Sequence, residues 1–187
     1  MPVIRTLLGQ KKIDNIRAAA AGAARLDGDT AELGVYRGGI SRLIAELLPN
    51  KKHYAFDTFS GIPEINPEID KVEKGEFSGV DMAELYEYLD LPNIIIKKGF
   101  FPRSVGSGMG EIKFSLVHFD GDTHKSCRDF LEYFYPRMVN YGYMIFDDYN
   151  RSICPGVKIA TDKFFKDKKE NILITTLGQG MIRRVIL

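Results

Sequence analysis

The stretch Thr30-Ala31-Glu32-Leu33-Gly34-Val35-Tyr36-Arg37-Gly38-Gly39 decides the fold. Residues 30–35 read as an extended strand that reaches a turn at Gly34. Residues 39–48 read as a helix that stops before Pro49. Glycines at a strand-to-helix turn admit positive φ and let the backbone approach a ligand. The helix that follows offers N–H groups with no intrahelical partner. Working outward, the same alternation recurs on both sides. Upstream, the Ala-rich residues 12–26 read as a helix with Ile13 and Ile16 on one side. Downstream come strands at 53–57, 93–98, 114–120 and 143–147, with helices at 80–89, 126–135 and 157–166. Residues 58–79 form a long connection punctuated by Pro and Gly, a length typical of lids and binding loops. A last pair, 172–176 and 181–186, flanks Leu177-Gly178-Gln179-Gly180 and reads as a hairpin.

Strands separated by helices predict an α/β architecture: a mostly parallel sheet with helices on both faces and a C-terminal antiparallel hairpin. Five such units followed by a hairpin match the order of a Rossmann-like, seven-stranded class I methyltransferase fold, an analogy at the level of topology. The 187 residues suit a single domain, with 1–29 as an N-terminal helical segment. A content of 44% hydrophobic and 27% charged residues is that of an ordinary globular chain. A net charge of +1 provides no field to attract nucleic acid or an anionic membrane. No run of apolar residues is long enough to span a bilayer, and residues 18–24 are too small to be the core of a signal peptide. Two cysteines, Cys127 and Cys154, predict reduced thiols and a cytoplasmic location.

The turn reads G-x-x-x-G-G, not the G-x-G-x-x-G of a pyrophosphate site, which disfavours a nicotinamide oxidoreductase. Glu32 beside it suits a cationic ligand. At the tip of the second strand, Asp57 can accept the two hydroxyls of a ribose or simply cap its loop. The strongest signal is three carboxylates. One apolar strand ends in Phe119-Asp120-Gly121-Asp122 and the next in Phe146-Asp147-Asp148. Neighbouring strands lie about 4.8 Å apart, so Asp120, Asp147 and Asp148 would repel one another unless a cation joins them. An all-oxygen set suits Mg²⁺ or another hard divalent cation. His124 lies just beyond and is a candidate general base. His53 and His118 sit within strands and read as packed.

Taken in order, Glu32 to Gly39, Phe56-Asp57-Thr58-Phe59-Ser60-Gly61-Ile62-Pro63-Glu64, Lys98-Gly99-Phe100-Phe101-Pro102, Phe119 to Asp122, Tyr135-Pro136-Arg137 and Ile145-Phe146-Asp147-Asp148-Tyr149 resemble the macrocin O-methyltransferase family. The resemblance runs from about residue 30 to 165. It implies an S-adenosylmethionine-dependent enzyme that methylates a sugar hydroxyl of a natural product or polysaccharide. Glu32, Gly34 and Tyr36 would hold the methionine part of the cofactor, Asp57 the ribose, and Thr58, Phe59 and Ser60 the adenosine side. Asp120, Asp147 and Asp148 would bind Mg²⁺, as a similar trio does in catechol O-methyltransferase. Asp120 would act catalytically through that cation. The sequence departs from the family at Phe100, where a Trp is usual, and at Thr123-His124, where a Tyr is usual. These departures bear on the acceptor and the base.

The expected partner is therefore a small hydroxylated molecule. With 29 residues ahead of the first strand to cover it, a second copy of the chain is expected to contribute cover. A catechol-like acceptor offers adjacent oxygens as a sugar does and is an alternative. A non-catalytic S-adenosylmethionine-binding module is a second one, against which the intact acid trio argues.

Overall fold

The computed structural model describes residues 4–175 and 178–186. Helix α1 (Gln10–Ala23) precedes β1 (Asp29–Leu33), α2 (Gly39–Leu47), β2 (His53–Asp57), α3 (Met82–Tyr88) and β3 (Ile94–Lys98). Then follow β4 (Phe114–Phe119), α4 (His124–Phe134), β5 (Met138–Phe146), α5 (Pro155–Phe165), β6 (Leu173–Ile174) and β7 (Gly180–Arg183). The strands form a seven-stranded sheet in the order β3-β2-β1-β4-β5-β7-β6. All neighbours from β3 to β5 are parallel, and β7 runs antiparallel to both β5 and β6. The expected class I methyltransferase architecture is the one found.

Side chains alternate between the two faces of each strand, and this builds two layers of core. Leu33, Phe56, Val117, Phe119, Met144 and Phe146 face α4 and α5. Within that layer Phe134, fully buried, meets the rings of Phe56, Phe101, Phe114 and Phe130. On the other face Leu116 and Ile145 pack against Ile13, Ile16, Ala19 and Ala20 of α1 and Ile40, Leu43 and Ile44 of α2. The small residues of α1 bring its axis close to the sheet. A Cβ at Gly22 would lie 2.3 Å from the Tyr143 hydroxyl oxygen.

Local chemistry sets the ends of the elements. β1 stops at Leu33, two residues short of the expected 35, because Gly34 turns the backbone to φ +91°. α4 starts at His124, two residues earlier than expected, because the Thr123 hydroxyl accepts from Ser126 N at 3.3 Å. β5 begins at Met138, not 143. Its first residue pairs with Phe114, and the chain then bulges through 139–142, with Tyr141 at φ 65°, before regular pairing resumes at Tyr143. That irregularity hid the strand's start. The terminal hairpin is shorter than predicted, its strands reduced to 173–174 and 180–183. Thr176 and Leu177 of that prediction lie outside the described residues.

The 58–79 connection, read from its length as a lid or binding loop, is pinned: Ile62 and Val72 are buried in the larger core. Asp70, also buried, accepts from Asn66 N and from His124 N, both at 2.8 Å.

Candidate active site

Parallel register places the strand tips side by side. Gly34 N donates to Phe56 O at 3.0 Å, Asp120 N to Leu33 O at 2.8 Å and Asp147 N to Phe119 O at 2.9 Å. The C-terminal ends of β2, β1, β4 and β5 thus form a row. The chain diverges from β1 to β2 on one side and to β4 on the other, which is where open α/β sheets bind ligands. A cavity of about 480 Å³ opens over this row. Its wall includes Glu32, Gly34, Tyr36, Asp57 and Thr58 together with Asp120, Asp147 and Asp148. Residues 5–9 and Lys12 line it from the N-terminal side.

The glycine turn fits closely. A Cβ at Gly34 would meet the Asp120 carbonyl oxygen at 1.9 Å, so glycine is required for the two strand tips to meet. Asp57 braces the turn from β2. Its Oδ2 accepts from Val35 N at 2.7 Å and Tyr36 N at 2.8 Å, and its Oδ1 from Phe59 N at 2.7 Å. Of the residues expected around the cofactor, Phe59 and Ser60 are not in the cavity wall. Phe59 is buried with Val35, Ala55, Leu85 and Leu89, while Ser60 is exposed. His124 is also absent from the wall, and its Cβ sits over Gly156.

The three carboxylates converge as expected. One oxygen from each of Asp120, Asp147 and Asp148 lies within 4.8 Å of the others. Burial and the neighbouring charges of Asp147, Asp122 and Asp148 raise the Asp120 carboxyl well above its ordinary range. Burial and Asp148 do the same to Asp122. Crowded oxygen donors of this kind fit a hard divalent cation, which would relieve the repulsion. Asp122, Asp148 and Cys154 form a second, overlapping group. Burial, with Asp122 next in weight, pushes the Cys154 thiol up, so it is held as a neutral hydrogen-bond donor to Asp122.

The partners that compensate these acids are not legible from the sequence alone. Lys12, from the start of α1, is 6% exposed and places its ammonium 2.5 Å from Asp147 Oδ2, 3.0 Å from Asp147 O and 3.4 Å from Asp148 Oδ1. Gln179 Nε2 donates to Asp147 Oδ1 at 3.0 Å, and Arg151 Nη1 to Asp148 Oδ1 at 3.2 Å. His118 is packed, as its place inside a strand suggested. Its Nδ1 contacts Glu32 Oε1 at 2.9 Å, and Ser41 donates to the other Glu32 oxygen. Glu32 and His118 are register partners on β1 and β4. The His118 Nε2 faces Asp147 Oδ1 at 4.0 Å, an ion-pair distance too long for a hydrogen bond. Burial opposes charge on this imidazole, but Asp147 and Glu32 outweigh it and raise its pKa. A buried chain of alternating acidic and basic side chains therefore runs from the glycine turn to the acid trio.

The sequence profile of the macrocin O-methyltransferase (TylF) family matches residues 2–179. The chain belongs to the macrocin O-methyltransferase family. Among curated relatives of this O-methyltransferase family member, the Streptomyces olivaceus enzyme named 8-demethyl-8-(2,3-dimethoxy-alpha-L-rhamnosyl)-tetracenomycin-C 4'-O-methyltransferase is 28% identical, the match covering 81% of this chain and 65% of that one. Demethyldecarbamoylnovobiocin O-methyltransferase of Streptomyces niveus is 26% identical, over 85% of this chain and 67% of its own. The chain thus spans about two thirds of the length of these relatives. Among solved structures, the O-methyltransferase NovP superposes with a TM-score of 0.81 at 23% identity, covering 97% of this chain and 82% of that one. The calicheamicin methyltransferase CalS11 gives 0.78 at 22%, covering 94% and 80%. At these identities the superpositions speak for the fold.

Proposed function

We propose that this protein is an S-adenosylmethionine-dependent O-methyltransferase acting on a sugar hydroxyl of a natural product or polysaccharide, with a divalent cation such as Mg²⁺ held by Asp120, Asp147 and Asp148. The observation that carries the reading is the meeting of the glycine turn and the acid trio in one cavity. The two curated relatives, both named as O-methyltransferases and one of them for a rhamnosyl compound, support a small-molecule sugar acceptor.

Glu32, Gly34, Tyr36, Asp57 and Thr58 would hold the cofactor. A divalent cation held by Asp120, Asp147 and Asp148 would bind acceptor oxygen and lower the pKa of a hydroxyl. The chain's own contribution is placement. Asp120 sits beside Gly34 because β1 and β4 are in register, so an acceptor oxygen held at the trio lies next to the cofactor's turn. Fixing both partners removes the entropy of bringing them together. Ile62, Phe100 and Phe101 give the cavity an apolar part of its wall, which would limit water around a bound acceptor.

Calorimetry with S-adenosylmethionine, with and without Mg²⁺, tests both halves. We expect the cofactor to bind, and the variant Asp147→Asn to lose Mg²⁺ affinity and methyl transfer to a diol acceptor while keeping cofactor affinity. Undiminished methyl transfer in EDTA would falsify the metal part of the proposal. Failure to bind the cofactor would remove the whole of it.

A further inference from the structure

A buried lysine at the heart of an acid cluster calls for an account. Lysine is rarely buried unless it is paired, and Lys12 lies on a helix whose other inward residues are Ile13, Ile16, Ala19, Ala20 and Ala23. All three acceptors within reach of its ammonium belong to the same site: Asp147 Oδ2, Asp147 O and Asp148 Oδ1. An ammonium has three N–H donors, so the site saturates it. Two of those acceptors are oxygens that a divalent cation would need.

We propose that Lys12 is a tethered counterion of the Asp120–Asp147–Asp148 site, and that a divalent cation binds there by displacing its ammonium from Asp147 and Asp148. The inference rests on the metal reading given above.

Three features of the structure support displacement in place of sharing. Hard divalent cations sit about 2.0–2.6 Å from carboxylate oxygens, while Lys12 Nζ is already 2.5 Å from Asp147 Oδ2, so both cannot occupy that oxygen without repelling each other. Asp147 is the fixed member of the pair, since Gln179 holds its other oxygen at 3.0 Å and its N–H is bonded to β4. Lys12 is the movable one: a flexible four-carbon stem on a helix start, beside residues 5–9 that line the same cavity. The ammonium can therefore withdraw into the cavity without unfolding α1. A built-in cation lets the trio fold without metal and makes the metal site weak, because each binding event has to separate an ion pair.

The test is calorimetric titration of Mg²⁺ into the intact protein and into Lys12→Met, together with amine-selective acylation of the wild-type protein read by peptide mass spectrometry. We expect Lys12→Met to bind Mg²⁺ at least tenfold more tightly. We also expect Lys12 in the wild-type protein to be labelled several-fold faster at saturating Mg²⁺ than in EDTA. The labelling arm needs no variant and stands if Lys12→Met fails to fold. Equal or weaker Mg²⁺ binding by a folded Lys12→Met, or Lys12 labelling unchanged while Mg²⁺ is bound, overturns this inference and leaves the metal reading intact. No Mg²⁺ binding by either protein overturns both.

Discussion

Asp57 closes the first turn with both carboxylate oxygens in use, accepting three backbone N–H groups from Val35, Tyr36 and Phe59. Its removal therefore acts on the fold as well as on a ribose. Asp57→Ala should weaken S-adenosylmethionine binding and also lower unfolding free energy by on the order of 3 kcal/mol, since hydrogen bonds to charged groups are worth about 1.5–3 kcal/mol each and do not add fully. Denaturant titration beside calorimetry separates the two losses, and unchanged stability would show that the turn holds without the acid. Gly34 admits no substitute. At φ +91°, with the Asp120 carbonyl in the way, Gly34→Ala should lose roughly 2–5 kcal/mol from backbone strain and overpacking, visible as a fall in melting temperature. The acids and glycines were legible in the sequence because such residues at the end of an apolar strand have few structural uses. Lys12 and His118 were not. A lysine at a helix start looks solvated, and its partner Asp147 lies 135 positions away. A histidine within a strand shows nothing of the carboxylates beside it until the register is known.

Among the elements, the alternation of strand and helix was legible throughout, because each carries its own period. What failed were the boundaries, fixed by single caps and by the bulge at 139–142. The character of the 58–79 connection also escaped, since Ile62 and Val72 are isolated apolar residues with no periodicity to mark them. Hydrogen exchange should accordingly be uneven there. Ile62 and Gly75, paired by backbone bonds of 2.9 Å to Glu76 O and 2.8 Å to Ile62 O, should exchange more slowly than the exposed amides of Lys74 and Gly79. Uniformly fast exchange would mean that the anchors do not hold. A second tie lies behind the site. Glu170, buried after α5, accepts from Val185 N at 3.1 Å, Arg184 Nη1 at 2.5 Å and the Tyr135 hydroxyl at 3.0 Å. Burial alone would raise its pKa, but these donors lower it below the ordinary 4.5. A carboxyl depressed in the folded state stabilises above its unfolded pKa and loses that contribution as pH falls through the folded one. Glu170→Gln should thus lower stability by about 1–3 kcal/mol at pH 7. The gap to wild type should stay level down to about pH 5 and close as the pH falls further. A gap that persisted unchanged at pH 3 would contradict the assignment.

At the scale of the whole molecule, the sheet places chemistry that the chain scatters. Residues from positions 32, 57, 120 and 147 meet only because β2, β1, β4 and β5 are neighbours in register, and position 12 joins them because α1 packs on the sheet. The topology was legible from the alternation and from the family likeness, and so was the convergence of the acids. The charge that balances them was not, because it belongs to the packing of α1 against the sheet. That packing has a further consequence. With Gly22 against Tyr143 and alanines along its inner face, α1 sits at a fixed standoff, and the standoff works as a gauge: it sets how far a side chain must reach from the helix to the tip of β5. A bulkier residue at Gly22, ten positions and about 15 Å along the helix from Lys12, would lift the helix and leave the lysine short of Asp147. The cation preference of the site is thus adjustable from a position that touches neither acid nor ligand.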